Sequence, residues 1–326
     1  MSGPIARIIR RACAPVAVAA MAAVAVAAQQ APAGGAVTTG EVPGVPCGAQ
    51  PACTTSVRSS PQTCGRITAA NGSVWSVPSA VFNGPVAVDV YNDCTGPGDN
   101  PAHLSELKTV VIDPDGVEIT GYVFADNYYE LYVNGTFVAR DQMAMTPFNS
   151  TVVRFRAKYP ITYAIKAVDW ETHHGLGLEY EQYNVGDGGF IATFSEGTTT
   201  GADWKVETFY IAPLSDPACV TVTAAGRDST GCPSQKTAGG NKAPCALSDP
   251  KRCKALHFPI PDSWAAPRFN DAAWPRATLY TAEEVTGAPG YVKYAQLFES
   301  ARFIWTKNLL LDNLVLARYT AAGPRR

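Results

Sequence analysis

The chain reads as an all-β protein, an antiparallel β-sandwich of jelly-roll type carrying a disulfide-held irregular insertion. Three observations predict this. Short runs of β-branched and aromatic residues separated by turn residues begin near residue 74. Turn dipeptides such as Asn134-Gly135 punctuate them. Sustained helical periodicity is missing, apart from a brief candidate over residues 294–300. With 326 residues, 46% of them hydrophobic, the chain can bury a full core.

The elements follow in order. Arg7, Arg10 and Arg11 precede an Ala/Val run over residues 16–28, and Ala31-Pro32-Ala33 follows it. A positive region, an apolar region and a small-residue site predict a secretory signal over residues 1–33, removed near Ala33. The apolar run is short and alanine-rich for a spanning helix, so no membrane span is expected after its removal. Residues 34–73, rich in Gly, Pro, Thr and Cys, read as an irregular lead-in, and residues 74–326 as the sandwich. Residues 85–91 alternate as a strand. Strand, turn and strand surround Asp113-Pro114-Asp115-Gly116, and a hairpin is predicted at Asn134-Gly135. Strand-like runs continue at residues 151–155, 161–170, 190–194 and 205–211, the third led by the turn Gly186-Asp187-Gly188-Gly189. Residues 213–254 break the rhythm with Pro, Gly, Ser and four cysteines, the expected insertion. Runs at 255–260, 277–280, 303–305 and 314–319 complete the sandwich.

A net charge of −2 gives no electrostatic basis for binding nucleic acid or an anionic membrane. Of nine cysteines Cys13 falls in the signal, which leaves Cys47, Cys53, Cys64, Cys94, Cys219, Cys232, Cys245 and Cys253. An even number in an exported chain predicts four bridges, whose pairing spacing does not reveal. The irregular spacing, without Cys-x-x-Cys, disfavours zinc. The expected location is outside the cell, at its surface or in the periplasm.

Hydrolytic chemistry finds little support. The chain has no Gly-x-Ser-x-Gly, its thiols are expected to be oxidised, and none of its 28 carboxylates forms a distinctive pair. Imidazole is more telling. Two of only four histidines, His173 and His174, are adjacent and lie just past Trp170. If the strand of residues 161–170 continues, Trp170 and His174 share a face; if the chain turns at once, His173 becomes the partner. His257 alternates with Leu256 and Phe258, whereas His103 sits in a polar segment. Two or three imidazoles without a thiolate suit copper or zinc, and copper(I) is content with two. For any single histidine, a surface or hydrogen-bonded core role competes with ligation. Asp113, Asp115, Asp126 and Asn127 could furnish a structural calcium site at one end of the sandwich, with ordinary turn chemistry as the alternative. Asn71, Asn134 and Asn149 begin glycosylation triplets.

A resemblance adds to this reading. Residues 159–171, Tyr-Pro-Ile-Thr-Tyr-Ala-Ile-Lys-Ala-Val-Asp-Trp-Glu, with Gly175-Leu176-Gly177 after them, form one block. Residues 126–135, 186–192, 204–214 and 303–314 form further ordered blocks. Together they resemble the surface-associated copper-binding proteins of methane-oxidising bacteria, the MopE and CorA type, over roughly residues 110–320. The resemblance implies an exported copper(I)-binding protein for scavenging, storage or delivery. It also implies a site of two histidines and a tryptophan oxidised to kynurenine. An intact indole N–H only donates, whereas ring opening creates an amine able to bind a soft cation. The implied residues are Trp170, His173 or His174, and His257.

Residues 269–277, Phe-Asn-Asp-Ala-Ala-Trp-Pro-Arg-Ala, resemble a segment of galactose-binding-like sandwich modules. That implies polysaccharide as an alternative partner, with Tyr128, Tyr129, Trp264 and Trp274 as stacking candidates. A copper-dependent oxidative enzyme is a third reading, which needs an open coordination position and a co-substrate pocket.

Overall fold

The computed structural model describes residues 1, 33–46, 63–78, 84–92, 107–141, 149–179, 183–235, 241–285 and 289–324. Most of the signal segment, Cys47, Cys53, Cys94 and His103 lie outside the described residues.

The strands are β1 (Ala36–Thr39), β2 (Val45–Pro46), β3 (Thr63–Thr68), β4 (Val74–Val77), β5 (Val88–Asn92), β6 (Thr109–Val111) and β7 (Val117–Asp126). They continue as β8 (Tyr128–Val133), β9 (Thr136–Arg140), β10 (Asn149–Ala157), β11 (Ile161–Val168), β12 (Gly189–Phe194) and β13 (Lys205–Leu214). The last are β14 (Thr221–Thr223), β15 (Gly226–Asp228), β16 (Lys254–His257), β17 (Thr278–Tyr280), β18 (Phe303–Trp305) and β19 (Asp312–Ala321). One sheet has the order β1-β16-β13-β19-β11-β8-β9, and the second β17-β18-β12-β7-β10-β5. No helix among the described residues is long and apolar enough to cross a membrane.

Local chemistry places several elements where alternation and turn residues predict. At the β8–β9 hairpin Val133 pairs with Thr136, and Asn134 and Gly135 adopt positive φ of 50° and 81°, as a two-residue loop of this hand requires. The Asp113 turn closes through the Gly116 N–H to the Asp113 carbonyl at 2.9 Å. Its two strands do not pair with each other. They flank β10, β7 antiparallel on one edge and β6 parallel on the other. The helical candidate at 294–300 is a single 3₁₀ turn, Ala295–Phe298.

The central strands of the first sheet are buried on both faces. On β11, Ile161, Tyr163, Ile165 and Ala167 face the second sheet, within one apolar cluster that includes Phe155, Phe194 and Trp204. Ala164 and Val168 point the other way, into a second cluster with Ile67, Val77, Leu176, Val220 and Trp274. The sandwich therefore bears an outer covering, contributed by the β3–β4 hairpin, the loop after β11, the insertion and residues beyond β16. This explains why every residue of β11 is buried, Thr162 and Lys166 included, rather than alternating between core and solvent.

Two sequence expectations change. Part of the supposedly irregular lead-in is strand: β1 forms the edge of the first sheet, with Ala36 opposite His257. The insertion is held by the predicted chemistry, with bridges Cys219–Cys232 and Cys245–Cys253, but β13 runs through Leu214 before it begins. Cys64 is also disulfide-bonded.

Candidate functional site

Trp170 lies in the second cluster, and the loop and strands around it carry His174 and His257. β11 ends at Val168, and Trp170 follows in the core with no exposed surface. Its backbone N–H donates to Asn127 Oδ1 at 2.6 Å, and Tyr128 meets its ring edge-on at 5.8 Å. Glu171 then organises the loop. Its Oε1 accepts the Gly175 N–H at 3.1 Å and the Tyr210 hydroxyl at 2.8 Å, while Oε2 accepts the Gly177 N–H. Gly177 has φ +67°, and a Cβ there would stand 2.4 Å from Ala212 Cβ, so the loop closes this tightly only with glycine. Burial pushes the Glu171 carboxyl up to about 7, against the three donors that favour its charge.

The doublet is divided by this loop. His173 bridges to Leu178 and stays at the rim, with Nδ1 3.0 Å from Glu41 Oε1 and its ring stacked on Tyr183 at 4.3 Å. His174 turns inward and is 4% exposed. Its Nδ1 lies 3.3 Å from the Val77 carbonyl, which can only accept, so Nδ1 carries the proton and the lone pair sits on Nε2. Burial lowers its pKa, keeping the ring neutral. The chain does turn soon after Trp170, yet the inward histidine is His174 and not His173. The reason is Glu171, which pulls the backbone of residues 175 and 177 back over itself.

His257 closes β16 beneath the same hairpin. Its ring is sandwiched between Tyr210, at 4.7 Å and 26°, and Trp75, at 5.1 Å and 23°. Its Nε2 lies 2.8 Å from Thr38 Oγ1. Desolvation drops its pKa to about 3. Thus Val77 receives His174 while Trp75 covers His257, two positions apart on β4 and about 7 Å along the strand. Trp170 joins this array through its neighbour Glu171, whose carboxylate holds the Tyr210 ring that lies on His257. Trp75, Tyr210, Glu171 and Thr38 were not singled out from the sequence. The Trp170-Glu171 adjacency was visible, but the contacts of the other three come from strand pairing distant in the chain.

The remaining candidates disperse. Asp113 Oδ2 accepts the Lys158 N–H at 2.9 Å and Asp115 pairs with the Lys158 ammonium at 2.5 Å, both before β7 begins. Asp126 and Asn127 sit at the far end of that ten-residue strand. A separation of about 33 Å rules out the four as one calcium site. Asp126 instead lies near Asp169, whose buried carboxyl is held well above its usual range by desolvation and by Glu179, Asp126 and Asp187. Among the described residues no group of three or more His, Cys, Asp and Glu is arranged to hold a metal ion. The four stacking candidates offer no face to a sugar: Tyr128 and Tyr129 are fully buried, and Trp264 and Trp274 are 7% and 8% exposed. Trp274 packs edge-on against Phe209 and Phe269, fastening the 269–277 segment to the sheet.

Comparison of the chain with protein-family models, with curated proteins and with solved structures returned no match.

Proposed function

We propose that the chain is an exported copper(I)-binding protein, for scavenging, storage or delivery of the metal, with His174 and His257 as its ligands. The observation that carries this reading is the placement of two neutral imidazoles, from distant segments, beneath one strand in an aromatic-lined interior. A metal binds the unprotonated nitrogen, and burial removes the competing proton from both rings. His174 already donates Nδ1–H to a carbonyl, the arrangement by which metal-binding histidines are oriented. If His257 likewise donates Nε2–H to Thr38, its lone pair lies on Nδ1.

The donor set fits the metal's preferences. Two imidazoles satisfy copper(I), whereas a closed zinc site would require four ligands. The metal would be held without turnover. Trp170 stands within the same cluster, and ring opening there would supply a third, amine donor.

The test is anaerobic loading with copper(I), followed by competition with bicinchoninate and metal analysis. Wild type is expected to retain about one copper per chain. His174→Ala and His257→Ala, checked for folding by circular dichroism, should each lose it, and His173→Ala should keep it. Retention by both interior variants would end the proposal. Peptide mass analysis of the region around Trp170 would report whether its ring has been opened.

A further inference from the structure

A second site, independent of the histidines, is built where the insertion folds back on the first sheet. A cavity of about 590 Å³ is walled by the start of β13, the β14–β15 hairpin with the turn after it, Pro275-Arg276, and residues 306–312. We propose that this cavity binds a neutral polyhydroxylated ligand, a pyranose unit of a glycan.

Its polar groups are fixed in place. Asp312 is buried, with Oδ1 accepting the Ser229 hydroxyl at 2.7 Å and Oδ2 accepting the Thr306 hydroxyl at 2.5 Å. Asp228 Oδ1 accepts the N–H and hydroxyl of Thr230, and Oδ2 lies 3.3 Å from the Lys307 ammonium. The Arg227 guanidinium is clamped between the Phe209 and Phe258 rings, at 4.4 and 4.0 Å, and donates to the Thr208 carbonyl at 2.5 Å. The Cys219–Cys232 bridge staples the two flanks of the hairpin, so ordering these groups is not a cost of binding.

One group in this set is unfinished. The Glu207 side chain is 5% exposed, and its Oε1 accepts the N–H groups of Thr208 and Arg227 at 2.9 and 3.3 Å. Oε2 takes no hydrogen bond from a described residue. Gly226, at φ +106°, leaves that oxygen uncovered, since a Cβ there would stand 2.7 Å from it. Glu207 is a buried residue whose second carboxylate oxygen opens onto the cavity, and a ligand that displaces water there must bring a donor for it.

The balance of charge selects the ligand class. Above about pH 7, where Asp312 is ionised, Glu207, Asp228 and Asp312 are matched in number by Arg227, Arg276 and Lys307, which leaves no net field to draw an anion or a cation. An apolar ligand would strand Glu207 Oε2. A sugar ring presents donors and acceptors around its rim and C–H groups on its faces, matching these oxygens together with Pro275, Val206 and Ala225. The volume accommodates one or two such rings.

The experiment is saturation-transfer NMR on the full chain with galactose, mannose, fucose and N-acetylglucosamine at millimolar concentration. At least one sugar should receive transfer. Thr223→Trp, which fills the mouth from an exposed position, should abolish it, and Glu207→Gln should weaken binding about tenfold. Inorganic phosphate should not compete. The proposal is overturned if no sugar receives transfer, if transfer survives Thr223→Trp unchanged, or if phosphate displaces the sugar. Loss of copper binding at His174 and His257 has no bearing on these outcomes.

Discussion

Tyr210 lies flat against His257, with ring centroids 4.7 Å apart, while its hydroxyl is held by Glu171 at 2.8 Å. One side chain thus ties the imidazole of β16 to the loop after β11, two segments that share no sequence neighbourhood. Trp75 completes the clamp from the opposite side. The interior imidazole is consequently rigid and dry, which is what keeps it neutral.

Removing the outer half of this clamp has two measurable effects. Trp75→Ala deletes a stacked pair worth about 0.5–1.5 kcal/mol beyond area burial, so a total stability loss of about 1–3 kcal/mol is expected in guanidinium unfolding. Water then reaches His257, and its pKa, now about 3, should climb toward the ordinary imidazole value in NMR titration. An unchanged midpoint with an unmoved titration would show that Trp75 does not seal the ring.

Asp312 predicts a pH slope. Burial lifts its carboxyl from 3.8 to about 7. Because the folded value lies above the unfolded one, the contribution to stability is complete below about pH 4 and is lost as pH rises through about 7. Asp312→Asn cannot titrate. Stability of wild type relative to this variant should therefore fall between about pH 4 and pH 8, by at most on the order of 4 kcal/mol. A difference that is flat, or that grows with pH, would contradict the assignment.

The bridge under the β14–β15 hairpin spans 13 residues in sequence. Closing a loop of that length is worth about 3 kcal/mol. Replacing both Cys219 and Cys232 with Ser should cost about this much and speed hydrogen exchange at residues 221–228, leaving β11 and β19 protected. Exchange that rises equally over both sheets would mean that the hairpin is not an independently stapled unit.

Legibility in the sequence followed the range of the interaction. The β8–β9 hairpin was readable because Asn134 and Gly135 supply positive φ locally, whatever the rest of the chain does. The bridged insertion was readable because cysteines and turn residues cluster there. Of the two readings of Asp113, Asp115, Asp126 and Asn127, turn chemistry holds at Asp113–Gly116, whereas the calcium grouping fails because the extended strand β7 separates Asp115 from Asp126. The sugar-stacking set was misread because an aromatic looks the same in a sequence whether it covers a core or a ligand. Glu207 carried no signal at all, since its meaning depends on Gly226 standing opposite.

By itself, then, the sequence determined an all-β sandwich, the positions of most of its strands, a stapled insertion and a doublet of histidines beside a tryptophan. These follow from side-chain period, turn preference and composition, all short-range properties of the chain. Only the tertiary structure decided that His174 faces inward and His173 outward, that β1 and β4 close over His257, and that a polar cavity opens beside the insertion. Those outcomes depend on which distant strands pair and which faces they bury, and burial is a property of the folded whole.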